Sequence, residues 1–103
     1  MRLLENKVAL ITGASRGIGA AIALAMAEQG ALVAATATTA AGAENISQRL
    51  QAHGLKGKGF VLNLSDDASI KSLFAELQDF GLPNILVNNA GITRDNLLLR
   101  MKA

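Results

Sequence analysis

The 103-residue chain has no cysteine, no tyrosine and no tryptophan, and only one histidine and one proline. Without thiols it can form no disulfide and no thiolate metal site, and with His53 as its sole imidazole a zinc site is excluded as well. His53 precedes Gly54 at the expected end of a helix, where an imidazole faces the last carbonyls, so it reads as structural. With aromatics scarce, the core must come from alanine, leucine and glycine, which suits closely packed helix–sheet layers better than a sandwich built on rings. Charge of one sign is also lacking: 10 Lys and Arg stand against 8 Asp and Glu, a net charge of +2. The basic residues are scattered from Arg2 to Lys102, which gives no footprint for nucleic acid, and Lys56 and Lys58 read as solvated loop charges. Long apolar runs are missing too. Met1 to Lys7 holds no signal-peptide core, and the uncharged run from Gln29 to Ala43 falls short of a membrane span. The expectation is one soluble, cytoplasmic domain.

What is present is an alternation. Apolar strand-like runs occur at Val8–Thr12, Leu32–Thr36, Phe60–Leu64 and Asn84–Asn88. Helix-period segments lie between them: Ile18, Ala21, Ile22, Ala25 and Met26, stopped by Gly30; Ile46 and Leu50 in a helix from about Gly42 to Ala52; and Ile70, Leu73, Phe74, Leu77 and Phe80. Ser65 or Asp66 can cap the third helix, Gly81 and Pro83 end it, and Gly54 to Gly59 reads as a turn. Leu97-Leu98-Leu99 opens what reads as a further helix. Stacked βαβ units of this kind predict an α/β fold, a doubly wound parallel sheet of Rossmann type with strand order 3-2-1-4. That order brings the turns after the first and fourth strands to one carboxyl edge, where a ligand is expected.

The turn after the first strand is Thr12-Gly13-Ala14-Ser15-Arg16-Gly17-Ile18-Gly19. Gly13 allows a sharp exit from the strand, Gly17 lets backbone approach a phosphate, and Gly19 lets the helix pack tightly on the sheet. N–H groups at the helix start then face an anion. No Gly-Lys-Ser/Thr follows, which excludes a Walker loop. A purely structural glycine turn is the competing reading. NAD-binding sheets usually place an acid at the end of the second strand for the ribose 2′-hydroxyl. Here that position reads Thr36-Ala37-Thr38-Thr39, with no acid between Glu28 and Glu44. Arg16 and a threonine hydroxyl can instead bind a 2′-phosphate, which predicts NADP(H) over NAD(H), unless Arg16 is only a solvated charge at the helix start.

Asn63 interrupts an apolar strand end, where its amide and the Leu64 backbone can bond an adenine edge or where the amide simply caps a turn. Asn88-Asn89-Ala90-Gly91 closes the fourth strand with two amides and two very small residues, leaving room for a ribose or base.

With both turns present, essentially the whole chain resembles the first part of a short-chain dehydrogenase/reductase. The stretch Ile92-Thr93-Arg94-Asp95-Asn96-Leu97-Leu98, with Arg100-Met101-Lys102 after it and Thr36-Ala37-Thr38 earlier, is similar to the branch of that family that reduces 3-oxoacyl thioesters on acyl carrier protein. The resemblance implies that Ser15, Arg16 and Thr38 contact the adenosine ribose phosphate, that Asn63 and Leu64 flank the adenine, and that Asn89 meets the adjoining ribose. Gly13, Ala14, Gly17, Ile18, Gly19, Ala90 and Gly91 complete the expected cofactor surface. It also implies an acyl-carrier-protein thioester as substrate and a homo-oligomer for the longer protein, with no nucleic acid and no membrane. The family's catalytic serine, Tyr-x-x-x-Lys pair and helix asparagine lie after the fourth-strand signature, and this sequence has no tyrosine. No catalytic residue is therefore assigned. Residues 1–103 are expected to be the cofactor-binding, N-terminal part of a single NADP-binding domain. A reductase acting on another carbonyl, or a non-catalytic NADP(H)-binding module, are the alternatives.

Overall fold

Alternation of side chains across the strands decides which layer each residue joins. The computed structural model describes residues 3–15 and 17–89. In chain order these form β1 (Val8–Ile11), α1 (Gly17–Glu28), β2 (Leu32–Ala37), α2 (Ala40–Ala52), β3 (Gly57–Val61), α3 (Asp67–Phe80) and β4 (Ile85–Val87). The four strands are parallel in the order β3-β2-β1-β4, as expected from the sequence. Ala9, Leu10 and Ile11 are each fully buried, which is why β1 reads as a continuous apolar run. Ala9, Ile11, Val33, Ala35 and Ala37 point to one face and pack with Ala23, Ala27, Ile46 and Leu50 of α1 and α2. Leu10, Ala34 and Phe60 point to the other and pack with Ile70, Leu73 and Leu77 of α3. The rings of Phe60 and Phe80 meet edge to face at 5.2 Å, adding an aromatic contact to this second layer.

Two local expectations are corrected. The helix-period set of α1 is seated only in part: Ile22 and Met26 pack against the core, but Ala21 and Ala25 are exposed, Ile18 is 74% exposed, and the buried residues are Gly19, Ala20, Ala23 and Ala27. Glu28 is the helix's only charged residue, so periodicity cannot single out a face, and close approach to the sheet selects the small residues instead. β3 starts three residues earlier than expected, taking Gly57-Lys58-Gly59 out of the turn and into the sheet, where Gly59 pairs with Ala35. A Cβ at Gly59 would collide with the carbonyl of Ala43, so glycine here marks the place where α2 lies directly on strand backbone. Ladder-type bonding continues past the strand, with Leu62 N donating to Ala37 O at 2.8 Å.

The helix ends follow from their capping residues. Asp66, rather than Ser65, caps α3, and Gly81 closes it at φ 140°. His53 closes α2, its Nδ1 donating to the Arg49 carbonyl at 2.8 Å, as its place in the sequence implies. The helix expected from Leu97 lies outside the described residues. No helix among the described residues is long and apolar enough to cross a membrane.

Candidate functional site

The glycine turn is tied to both neighbours of β1. Gly13 N donates to Thr36 Oγ1 at 3.2 Å and Ala14 N to Thr36 O at 2.7 Å, which fixes one side of the turn to the end of β2. On the other side, Thr12 N donates to Val87 O at 3.1 Å, the Thr12 hydroxyl donates to Asn88 Oδ1 at 3.3 Å, and Asn89 N donates to Thr12 Oγ1 at 2.9 Å. The Asn89 amide then donates to the Gly13 carbonyl at 3.1 Å. A Cβ on Gly19 would strike that same carbonyl, so the start of α1 is seated against the turn it follows. Gly17, by contrast, has φ +65° and nothing within 4 Å of a Cβ position. A side chain there would meet open space, at a helix start that carries no acid, an environment suited to an anion.

Three threonines follow one another closely at the end of β2 and serve different ends. Thr36 is buried and its hydroxyl is engaged by Gly13. Thr39 caps α2, its Oγ1 accepting from Gly42 N at 3.0 Å. Thr38 lies between them, exposed, with no hydroxyl partner among the described residues. Its hydroxyl is therefore available to solvent. The first turn of α2 holds no acidic residue, and a Cβ at Gly42 would lie 3.6 Å from the Ser15 Cβ, so the helix start and the glycine turn adjoin.

Thr38 also lines a hollow of about 260 Å³ with Gly13, Thr36, Ala37, Leu62, Asn63, Leu64 and Ser65. That is below the ~300–1,000 Å³ of sites enclosing a whole small ligand, so it can hold one end of a dinucleotide. The Asn63 side chain is partly committed: its Oδ1 accepts from Ser65 N at 3.1 Å and Ser65 Oγ at 2.7 Å, a turn-forming arrangement. The backbone N of Asn63 donates to Ser69 Oγ at 2.9 Å. A wider depression of about 370 Å³ lies at the opposite edge among Lys7, Gly30, Gly54 and Lys56, and none of the expected site residues lines it.

The structure therefore gathers Gly13, Thr38, Asn63 and Leu64 around one hollow, with Ala14, Ser15, Gly17, Ile18 and Gly19 along the adjoining turn and helix start. Asn89 reaches the group through Gly13. Arg16, Ala90 and Gly91 lie outside the described residues. The bracing roles of Thr12 and Thr36 were not drawn from the sequence; the available signal was a pair of threonines ending two adjacent, otherwise apolar strands. Every buried side-chain nitrogen and oxygen among the described residues has a partner, so the site's binding capacity resides in backbone and exposed groups. No cluster of three or more His, Asp or Glu able to hold a metal occurs among the described residues.

Comparison with known proteins agrees with this geometry. The family model for short chain dehydrogenase matches residues 7–103. The chain is 57% identical over 100 residues to the 3-oxoacyl-[acyl-carrier-protein] reductase FabG of Pseudomonas aeruginosa, covering 96% of this chain and 40% of that protein. It is 58% identical over 99 residues to the enzyme of the same name from Escherichia coli, covering 95% and 39%. The Vibrio cholerae enzyme of that name is 58% identical over 100 residues, covering 96% and 40%. The chain thus spans about two fifths of the length of the curated relatives it matches. A parallel 3-2-1-4 sheet, a glycine turn braced by the residues after β4, and a family match over nearly the full chain lead to one conclusion: this chain belongs to the short-chain dehydrogenase/reductase family.

Proposed function

We propose that this chain is the cofactor-binding half of an NADPH-dependent oxidoreductase that reduces a 3-oxoacyl thioester on acyl carrier protein to the 3-hydroxyacyl form, a step of fatty-acid elongation. The substrate class rests on the named activity of the relatives. The cofactor rests on one observation: the exposed Thr38, which lines the 260 Å³ hollow, leads directly into the acid-free start of α2, and that helix start lies against Ser15. A carboxylate there would repel a 2′-phosphate, and none stands in the first turn of α2 or in the lining of the hollow.

The residues fit the group that such a reaction needs. With open space beside Gly17, the N–H groups of the turn from Gly13 to Gly19 are assigned to a pyrophosphate. Ser15, Arg16 and Thr38 are assigned to the 2′-phosphate, Asn63 and Leu64 to the adenine, and Asn89, Ala90 and Gly91 to the ribose. When bound, NADPH supplies the hydride for the carbonyl carbon. This chain's contribution is to bind and orient. The brace from Asn89 to Gly13 holds the turn in shape without any ligand, so little ordering is left to occur on binding. Proton transfer to the substrate is assigned to no residue of this sequence, and residues 1–103 alone are expected to turn over nothing.

The cofactor assignment is tested by titrating NADPH and NADH against the protein and comparing dissociation constants; tighter binding of NADH would overturn it. For the substrate, NADPH oxidation is followed with a 3-oxoacyl thioester of acyl carrier protein and the full-length protein that carries this chain. No oxidation with that thioester, alongside oxidation with an unrelated ketone, would replace the substrate and leave the cofactor standing.

A further inference from the structure

The phosphate-facing end of α2 is held in place from one turn further along, at a seam with the outermost strand. Gly59 N donates to Ser47 Oγ at 2.8 Å. A Cβ on Gly59 would collide with the Ala43 carbonyl, and a Cβ on Gly57 would come within 2.8 Å of Leu50 Cδ1. Ala43, Ser47 and Leu50 recur at intervals of three and four, so they form one stripe of α2 that rests on β3 backbone. The same first turn that contributes Ala43 contributes Gly42, whose Cβ position lies 2.8 Å from Ala37 Cβ and 3.6 Å from Ser15 Cβ. Helix α2 thus touches the glycine turn at its start and β3 along its flank, and Ser47 supplies the directional bond in that flank.

We infer that Ser47 is a positioning residue for cofactor choice: by bonding Gly59 N it sets how far the start of α2 projects toward the 2′-phosphate. The inference rests on the cofactor assignment made above. Van der Waals contact between a glycine strand and a helix carbonyl resists approach but does little against sliding, whereas a hydrogen bond has a preferred direction and length. Ser47 is not among the residues lining the hollow, and its bond goes to β3 backbone, so its effect reaches the ligand through where α2 sits. Losing it lets the helix start shift while the adenine hollow and the glycine turn keep their own braces through Thr36 and Asn89. Affinity for the cofactor that carries a 2′-phosphate then falls, and affinity for the one that lacks it does not.

The test measures dissociation constants for NADPH and NADH by cofactor fluorescence, using the full-length protein and its Ser47→Ala and Ser47→Thr variants. Ser47→Ala is expected to weaken NADPH about tenfold and NADH less than about twofold, since a small misplacement of a binding group costs factors of this order. Ser47→Thr keeps the hydroxyl and restores the ratio. Parallel weakening of both cofactors, or an unchanged ratio, overturns the inference and shows Ser47 to be a fold residue only. If Ser47→Ala does not fold, Ser47→Cys reads the same ratio with a weaker acceptor, and a wild-type ratio there is equally fatal. A wild-type protein that prefers NADH sinks the cofactor assignment and this inference together, whereas a wild-type preference for NADPH that Ser47 variants do not disturb sinks this inference alone.

Discussion

Helix α3 begins at Asp66, whose carboxylate accepts from Ala68 N at 3.0 Å, and carries Asp67 in its first turn. Helix α2 begins at the same edge of the sheet with a neutral cap, Thr39, and no acid in its first turn. Both ends carry N–H groups that lack intrahelical partners, and both present the positive end of a dipole. In α3 the chain supplies the negative charge itself, which is worth about 0.3–1 kcal/mol at an exposed end. In α2 that stabilisation is left unused, and it is the α2 end that adjoins Ser15, Thr38 and the hollow. The difference marks the α2 end as the place where this fold declines an ordinary stabilising choice, which is what the proposed phosphate site requires.

The largest expected effect comes from forcing α2 to resemble α3. Thr38→Asp places a carboxylate where the 2′-phosphate is assigned, and NADPH affinity is expected to fall about a hundredfold, consistent with like-charge contacts costing several kcal/mol. NADH affinity in the same titration is expected to hold or rise, and equal losses for both would break the comparison. Thr39→Asp puts the acid one residue further on, at the cap. Calorimetry is expected to show no loss of thermal stability, because Asp caps as well as Thr. NADPH binding is nonetheless expected to weaken about tenfold, a repulsion of about 1.4 kcal/mol.

The converse change isolates the other helix. Asp66→Ala removes the α3 cap and is expected to lower unfolding stability by about 1 kcal/mol, read from a denaturant midpoint, with cofactor affinities unchanged. A shift in the NADPH/NADH ratio would show that the two helix ends are not independent. The smallest effect is ionic. Raising salt from 0.05 to 0.5 M, about a threefold shortening of the Debye length, is expected to weaken NADPH more than NADH by a factor of about two to five.

Much of this was legible in the sequence because the governing signals are local. Apolar runs of strand length alternating with helix-period segments were enough for the 3-2-1-4 sheet, and the glycine spacing located the turn. Local signals also explain the errors. Glycine usually means a turn, but Gly57 and Gly59 serve a strand that a helix presses upon, a fact about packing that the segment cannot announce. In α1 nearly every side is apolar, so the inward face was decided by size against the sheet rather than by periodicity. Within the candidate site, Thr36, Thr38 and Thr39 look interchangeable in sequence. Only their burial and partners distinguish a brace, a free hydroxyl and a cap.

The bonds joining Thr12 and Gly13 to Asn88 and Asn89 span 76 or 77 residues. Closing so long a segment costs entropy that is repaid only when β4 pairs with β1, so this side of the turn is expected to take shape late. On a ribosome adding ~5–20 residues each second, Asn89 follows Gly13 by about four to fifteen seconds. During that interval the nascent chain carries the glycine sequence without a finished cradle. On the cofactor assignment proposed above, nucleotide capture is expected to follow docking of the fourth strand, so ligand binding would report an assembled sheet rather than seed it.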